Sequence, residues 1–421
     1  LATDQEVLGS NPSKRAKTIM IITNKNILKL ILCTSFVLKI IVAFFFHGKG
    51  LTNEWATLLY NLENFKIFSY YNIEGQNIPS SYMPPLYLIF LYINKILSFD
   101  LFNFIYLVYF TQVVLSTLSV LFFFRFCNYF FDEKLSNVGA AVFALFPLIA
   151  FSNAIISSAS IQVFFYLLFF NYLIEIIIDK KKINNFLFVG IITCCLFLRG
   201  EFLIVLFLSL LFVILCNRKK IKFVMIVLFS TFTIISPYLI RNYINTDSVH
   251  IVNSTGYNLW KGNNHLGRVE GVHDPLHPNH KETWPKEDQF NNLYDKLNNL
   301  QASKRYEKDR DQIFLDEGIK NILEDKKKYF LLYVKKIISY FFIDQNSSII
   351  NYYNFFHIIP NLSIAILAVS GIFLSFFKKK DGKLLYILMI MSSLILLISI
   401  FYILPRYKIS ILNFQIFFSL F

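Results

Sequence analysis

The chain alternates between apolar runs and short polar breaks. The runs cover approximately Ile27–Phe46, Phe102–Phe124, Val138–Ala150, Ile155–Ile178, Phe186–Leu198, Phe202–Cys216, Phe223–Ile240, Phe355–Phe377, Leu384–Leu404 and Ile409–Phe421. A membrane-spanning helix needs about 20 mostly apolar residues. The longer runs predict spans, and the shorter ones require helices that extend into their polar flanks. Leu86–Phe99 follows Pro84-Pro85 and is too short to span alone, so it predicts an interfacial helix. The pattern as a whole predicts an all-α polytopic membrane protein, a bundle of about ten transmembrane helices with a large polar loop. Residues 20–421 read as one domain with two polar interruptions, residues 47–85 and 241–354. The second begins Gly/Asn-rich, then His/Pro-rich, and becomes helical in pattern from Gln289 to about Asp344. Its last part, Lys326–Phe342, interleaves aromatic and aliphatic residues with Lys, as a helix lying in a membrane interface does.

Composition agrees. Hydrophobic residues make up 55% of the 421 and charged residues 16%, where soluble domains carry about 25% charged residues. The formal charge of +14 raises the question of nucleic acid. The Lys and Arg, however, sit in short clusters between apolar runs: Lys180-Lys181-Lys182, Arg218-Lys219-Lys220 and Lys378-Lys379-Lys380 occupy every second loop, and Arg125 and Lys134 fit the same side. That is the arrangement of a membrane topology with positive loops inside, and no nucleic-acid partner is expected. It puts the N-terminus in the cytoplasm and the loops at 47–85, Arg199, 241–354 and 405–408 outside. The five cysteines lie in or beside apolar segments with no metal or disulfide spacing, so core packing is expected of them. Residues 1–19 are expected to be a mis-called extension with translation starting at Met20. The chain begins with Leu, and Gly9-Ser10-Asn11-Pro12 is what the conserved arm of a transfer-RNA gene gives when read as codons.

Four cations break the positive-inside pattern. Arg199, Arg241, Arg406 and Lys408 all fall at outer helix ends, where they fit binding of an anionic lipid phosphate. Taken singly, each also fits an interfacial cation that snorkels. Lys39 lies inside the first apolar run, an expensive place for a charge. It either approaches the same phosphate from below or snorkels past Phe46. Glu54 follows Thr52, a good helix N-cap. It stands in a first helical turn, where a carboxylate is stabilised and can accept a proton from an attacking hydroxyl. A helix-start acid without chemistry fits the same spacing. Glu201 either pairs with Arg199 structurally or orients it. His265, His273, His277 and His280 gather in the large loop, but the intervening Pro and Asn give no helical face and no acid or Cys completes a set, so no metal site is assigned. There is no Walker loop and no dinucleotide fingerprint. A transferase of this layout takes a donor presented at the outer face, such as a lipid-linked one.

Four motifs together resemble the integral-membrane GT-C glycosyltransferases, in particular the bacterial branch related to protein mannosyltransferases, the lipid A aminoarabinose transferase and the Rgt-type galacturonosyltransferases. They are Asn53-Glu54 with Asn61-Leu62 and Met83-Pro84-Pro85-Leu86-Tyr87; Leu198-Arg199-Gly200-Glu201; Pro237 to Tyr243 followed by Gly256-Tyr257-Asn258-Leu259-Trp260-Lys261-Gly262-Asn263-Asn264; and Pro405-Arg406-Tyr407-Lys408 before a last helix. The resemblance covers nearly all of residues 27–421. It implies a polyprenyl-phosphate-sugar donor, inverting transfer to a glycan, lipid or protein acceptor, a bacterial inner-membrane location, and an essential acid in the first outer loop, by position Glu54. Many relatives carry Asp-Glu where this chain has Asn53-Glu54. No cofactor beyond the lipid-linked donor is implied, and the need for a divalent metal stays open. Asn53, Tyr87, Glu201, Tyr257, Asn258, Trp260, Asn263 and Asn264 are the expected sugar and acceptor pocket. For Asn258, Trp260, Asn263 and Asn264, a loop held by Asn and Gly turns is the competing reading. A transporter or flippase of lipid-linked sugars is the alternative to transfer, although no paired broken-helix repeats are visible.

Overall fold

The computed structural model describes residues 12–48, 50–51, 54–99, 101, 103–178, 184–271, 290–347, 354–378 and 382–421. Every apolar run becomes helix. α1 (Pro12–Phe45) leads to α2 (Glu54–Phe65), then to a hairpin of β1 (Ser69–Ile73) and β2 (Gln76–Pro79). Next come α3 (Pro85–Leu97), α4 (Phe104–Asn128), α5 (Glu133–Leu145), α6 (Pro147–Phe151), α7 (Ala159–Ile178), α8 (Asn185–Leu198), α9 (Phe202–Cys216) and α10 (Ile221–Thr246). The large loop carries α11 (Thr255–Gly262), α12 (Asn291–Asn298), α13 (Tyr306–Glu324) and α14 (Lys326–Phe341). α15 (Phe355–Lys378), α16 (Gly382–Ile400) and α17 (Ile409–Phe418) follow. Among the described residues, six helices are long and apolar enough to cross a membrane, within α1, α4, α7, α10, α15 and α16, while α3, α8 and α9 are apolar but shorter. The chain is a helical polytopic membrane protein.

Helix starts follow local chemistry. Asn103, Asp132, Asn184 and Asp325 cap α4, α5, α8 and α14, each accepting a hydrogen bond from a first-turn N–H. The run Val138–Ala150 is two helices rather than one. Pro147 pushes the preceding residue out of helical conformation, and Phe146 sits at φ −65°, ψ 123°. The first polar loop also differs from expectation, because it contains the β1–β2 hairpin. Ile73 pairs with Gln76, leaving Glu74 and Gly75 as a two-residue turn. Both have positive φ, 51° and 79°, which matches the right-handed twist of a hairpin.

α4 packs against α1, α5 and α7. α17 fills the centre of the bundle, with every residue from Ile409 to Phe418 buried. Phe417 meets Phe126 at 5.1 Å and Phe414 meets Phe170 at 5.2 Å between ring centres. Gln415 also lies in this interior, and its amide donates to the Phe341 carbonyl at 2.8 Å. Cys127 and Cys195 are buried as expected, but Cys33 and Cys216 are exposed on helix flanks instead of packed in the core.

The polar segments form a cap joined by specific bonds. Glu307 of α13 is buried and accepts from the Ser81 N–H at 2.8 Å, the Ser81 hydroxyl at 2.7 Å and the Ser80 hydroxyl. Burial pushes its carboxyl up from the usual range, and the serine hydrogen bonds oppose that shift. Arg241 donates to the Ser80 carbonyl at 2.7 Å, to the Phe68 carbonyl at 3.1 Å and to Asn242 at 2.8 Å. The large loop and the end of α10 thereby grip the strand that enters α3.

Candidate functional site

The bed of the site is α2. Trp55, Leu58 and Leu59 are buried on one face of that helix in a cluster with Tyr87, Leu91, Val113 and Leu198. Trp55 meets Tyr87 edge-on at 4.9 Å. Glu54 opens α2 and is half-buried. Among the described residues it makes no hydrogen bond or ion pair, yet its charge reaches Tyr82 and Tyr402. Thr52 and Asn53 lie outside the described residues, so the expected cap and the Asn53 position are not placed. Leu198, the last residue of α8, belongs to the same cluster, so Arg199 emerges beside the α2 bed.

Tyr402, which the Glu54 charge reaches, belongs to a pair of tyrosines. The Tyr407 hydroxyl donates to the Tyr402 oxygen at 2.8 Å, and the rings are 5.6 Å apart. Three cations lie on them. The Arg199 guanidinium is 5.4 Å and that of Arg406 5.7 Å from the Tyr407 ring centre, and the Lys261 ammonium is 4.5 Å from that of Tyr402. Stacking on an aromatic face attracts a cation without neutralising it. Arg199 and Arg406 feel each other's charge, so the arrangement concentrates positive potential. Arg199 is aimed by Gln162, whose carbonyl accepts from Nε at 3.2 Å, and by Glu201 at 3.8 Å. Glu201 thus stands within ion-pair distance of Arg199.

Lys261, Tyr402 and Tyr407 carried no role in the sequence reading. Lys261 and Tyr407 stand inside quoted motifs, and the signal for Lys261 was a cation in an Asn/Gly-rich outer segment. For Tyr402 there was no signal beyond its place five residues before Tyr407.

The rest of the third motif turns out to be the junction that places Lys261. A Cβ on Gly262 would lie 2.0 Å from the Phe401 carbonyl oxygen, so only glycine permits this approach of α11 to the end of α16. Asn263 donates to the Leu259 and Ile400 carbonyls, both at 2.8 Å, and accepts from Lys336 at 3.0 Å. Asn264 donates to the Lys261 carbonyl at 2.9 Å and accepts from the Leu266 N–H at 3.0 Å. Trp260 is buried against Phe314 and Phe290, Tyr257 packs on Phe314, and Asn258 bonds the Ser254 hydroxyl at 3.3 Å. For Asn263 and Asn264 the geometry is that of a loop held by Asn and Gly. Tyr87 lies beneath α2, its hydroxyl donating to Gln112 at 2.9 Å.

The other expected cations have partners elsewhere. Arg241 binds the first loop, as described above. Lys39 is fully buried and donates to the Ser116 carbonyl of α4 at 2.9 Å. It therefore neither snorkels outward nor joins the tyrosine pair. Lys408 is buried and donates to the Phe342 carbonyl at the end of α14, where a helix C-terminus favours a cation. His265 packs 4.3 Å from Phe290, while His273, His277 and His280 lie outside the described residues. Among the described residues no group of three or more His, Cys, Asp or Glu side chains has a metal-holding arrangement.

Lys336 makes the junction sensitive to pH. Burial pulls its ammonium from 10.5 down to about 7. Between those values the folded chain binds fewer protons than the unfolded one, so stability rises with pH. Raising the pH from 7 to 9 is expected to stabilise the protein by about 2 kcal/mol more than it stabilises Lys336→Met. Thermal unfolding in detergent at the two pH values reads this difference. Lys408, shifted in the same direction to about 7, remains in both proteins. Equal pH slopes would show that Lys336 is hydrated.

Compared with known proteins, the chain matches no family model and no curated sequence.

Proposed function

We propose that the protein is a membrane glycosyltransferase that moves a sugar from a polyprenyl-phosphate donor to a cell-envelope acceptor. The observation that carries this reading is one carboxylate with no hydrogen bond or ion pair among the described residues, Glu54, whose charge reaches Tyr402 of a tyrosine pair on which Arg199, Lys261 and Arg406 converge. A base and an anion-holding group on one surface are what displacement of a phosphate leaving group requires. Glu54 takes the proton of an acceptor hydroxyl. The hydroxyl oxygen bonds to the anomeric carbon as the carbon–oxygen bond to phosphate breaks, and the configuration inverts. The lipid phosphate leaves with its new charge held by the three cations.

The resemblance of the four motifs to the GT-C transferases supports the same reading. On it, the cap faces the periplasm, the N-terminus is cytoplasmic and the protein resides in a bacterial inner membrane. The shorter apolar helices complete a bundle of about ten crossings.

The test is direct. The purified chain in lipid is given radiolabelled polyprenyl-phosphate sugars and a crude envelope acceptor fraction. Transfer of label with release of free polyprenyl phosphate supports the proposal. Movement of intact donor between leaflets, with no polyprenyl phosphate released, replaces it with a flippase.

A further inference from the structure

The outward face of α14 takes no part in the site above. Phe330, Leu331 and Ile338 on it are 65%, 52% and 53% exposed. Lys327, Leu331 and Lys335 follow one another four residues apart and so share one line along the helix. Beside this line runs a groove of about 420 Å³ that combines three lysines, Lys327, Lys328 and Lys335, with three leucines, Leu266, Leu331 and Leu332. Asp325 also borders it, but its carboxylate caps α14 by accepting from the Lys328 N–H at 3.0 Å. Lys328 donates to the His265 carbonyl at 2.8 Å. Lys327 and Lys335 make no hydrogen bond or ion pair among the described residues.

The groove lies beside the end of a membrane-length helix. The opposite face of α14 buries Tyr329 and Tyr340, and Tyr333 donates to the Leu396 carbonyl of α16 at 3.0 Å. Leu396 stands in the last turns of a membrane-length helix, so α14 rests where a span meets the surface. A cationic groove edged by exposed apolar side chains at that depth complements an amphiphile with an anionic head.

We propose that this groove binds one anionic phospholipid. Its phosphate sits against Lys327 and Lys335, and its acyl chains lie along Phe330, Leu331 and Ile338. The inference does not depend on the transfer reaction.

The full chain is placed in nanodiscs containing equal amounts of phosphatidylglycerol and phosphatidylcholine, released, and weighed by native mass spectrometry. Retention of one phosphatidylglycerol in preference to phosphatidylcholine is expected. A surface lysine contributes about 1 kcal/mol to anionic-lipid binding, so Lys327→Gln with Lys335→Gln should weaken retention about 30-fold. Lys327→Arg with Lys335→Arg should keep it, and the wild-type preference stands as a reading even if the glutamine pair fails to fold. Equal retention of the two lipids, or undiminished retention by a folded glutamine pair, overturns the proposal. Displacement by millimolar inorganic phosphate overturns it too, by showing a site for the free anion.

Discussion

Glu54→Gln loses transfer by about 10²–10⁴-fold while the labelled donor still co-purifies with the protein. That range is the usual contribution of a positioned base, and it corresponds to about 3–5 kcal/mol of barrier. Glutamine keeps the shape of the side chain and removes its ability to accept the proton. The bed should not move, because Trp55, Leu58 and Leu59 hold α2 and Glu54 has no bond to lose among the described residues. An unchanged Tm together with lost transfer separates chemistry from folding. Transfer at the wild-type rate would reduce Glu54 to a helix-start acid. The result also tests the Asn53-Glu54 pair, since the acid that many relatives of the proposed family carry before Glu is absent here.

Lys261→Ala is expected to lower turnover by about 10²–10³-fold, the usual effect of removing one group that holds developing charge. Its ammonium is the cation nearest Tyr402, at 4.5 Å, and it stands with Arg199 and Arg406 around the tyrosine pair. Lys261→Arg should recover part of the loss, because a guanidinium keeps the charge and stacks on an aromatic face. Stability should change little, since Gly262, Asn263 and Asn264 fix the junction through backbone contacts that do not involve the ammonium. A parallel fall in Tm and turnover would instead mark Lys261 as a structural group.

The fold was largely legible in the sequence because a membrane forces each apolar run into helix. The run from Phe202 to Cys216 reappears as α9 with the same bounds, and that from Phe186 to Leu198 as α8 with one residue more at its start. What failed to show depends on local backbone geometry. The break at Pro147 was readable in principle, while the β1–β2 hairpin hid in a segment whose turn, Glu74-Gly75, is not a common hairpin pair. For the site, the sequence supplied the parts without the pairing. Arg199 and Arg406 stood out because outer loops rarely carry cations, and the structure does bring them together on Tyr407. Arg241 and Lys408 stood out for the same reason, and Lys39 because it lies inside an apolar run, yet all three bond to backbone carbonyls elsewhere. Charge and position along the chain cannot separate a cation that gathers on a tyrosine pair from one that ties down backbone carbonyls. Lys261 stands in a segment whose Asn and aromatic residues read as a sugar pocket, and its place beside Tyr402 arises only on folding.

Glu54 and Tyr407 are about 350 residues apart in the sequence. At 5–20 residues per second, a ribosome makes the second about 20–70 s after the first. During that interval Arg199 and Lys261 have no tyrosine pair to stack on, and α17 has not entered the bundle that it fills. A growing chain therefore exposes Glu54 long before the tyrosine pair exists, and on the proposed reaction the base precedes its anion-holding partner by most of the time of synthesis.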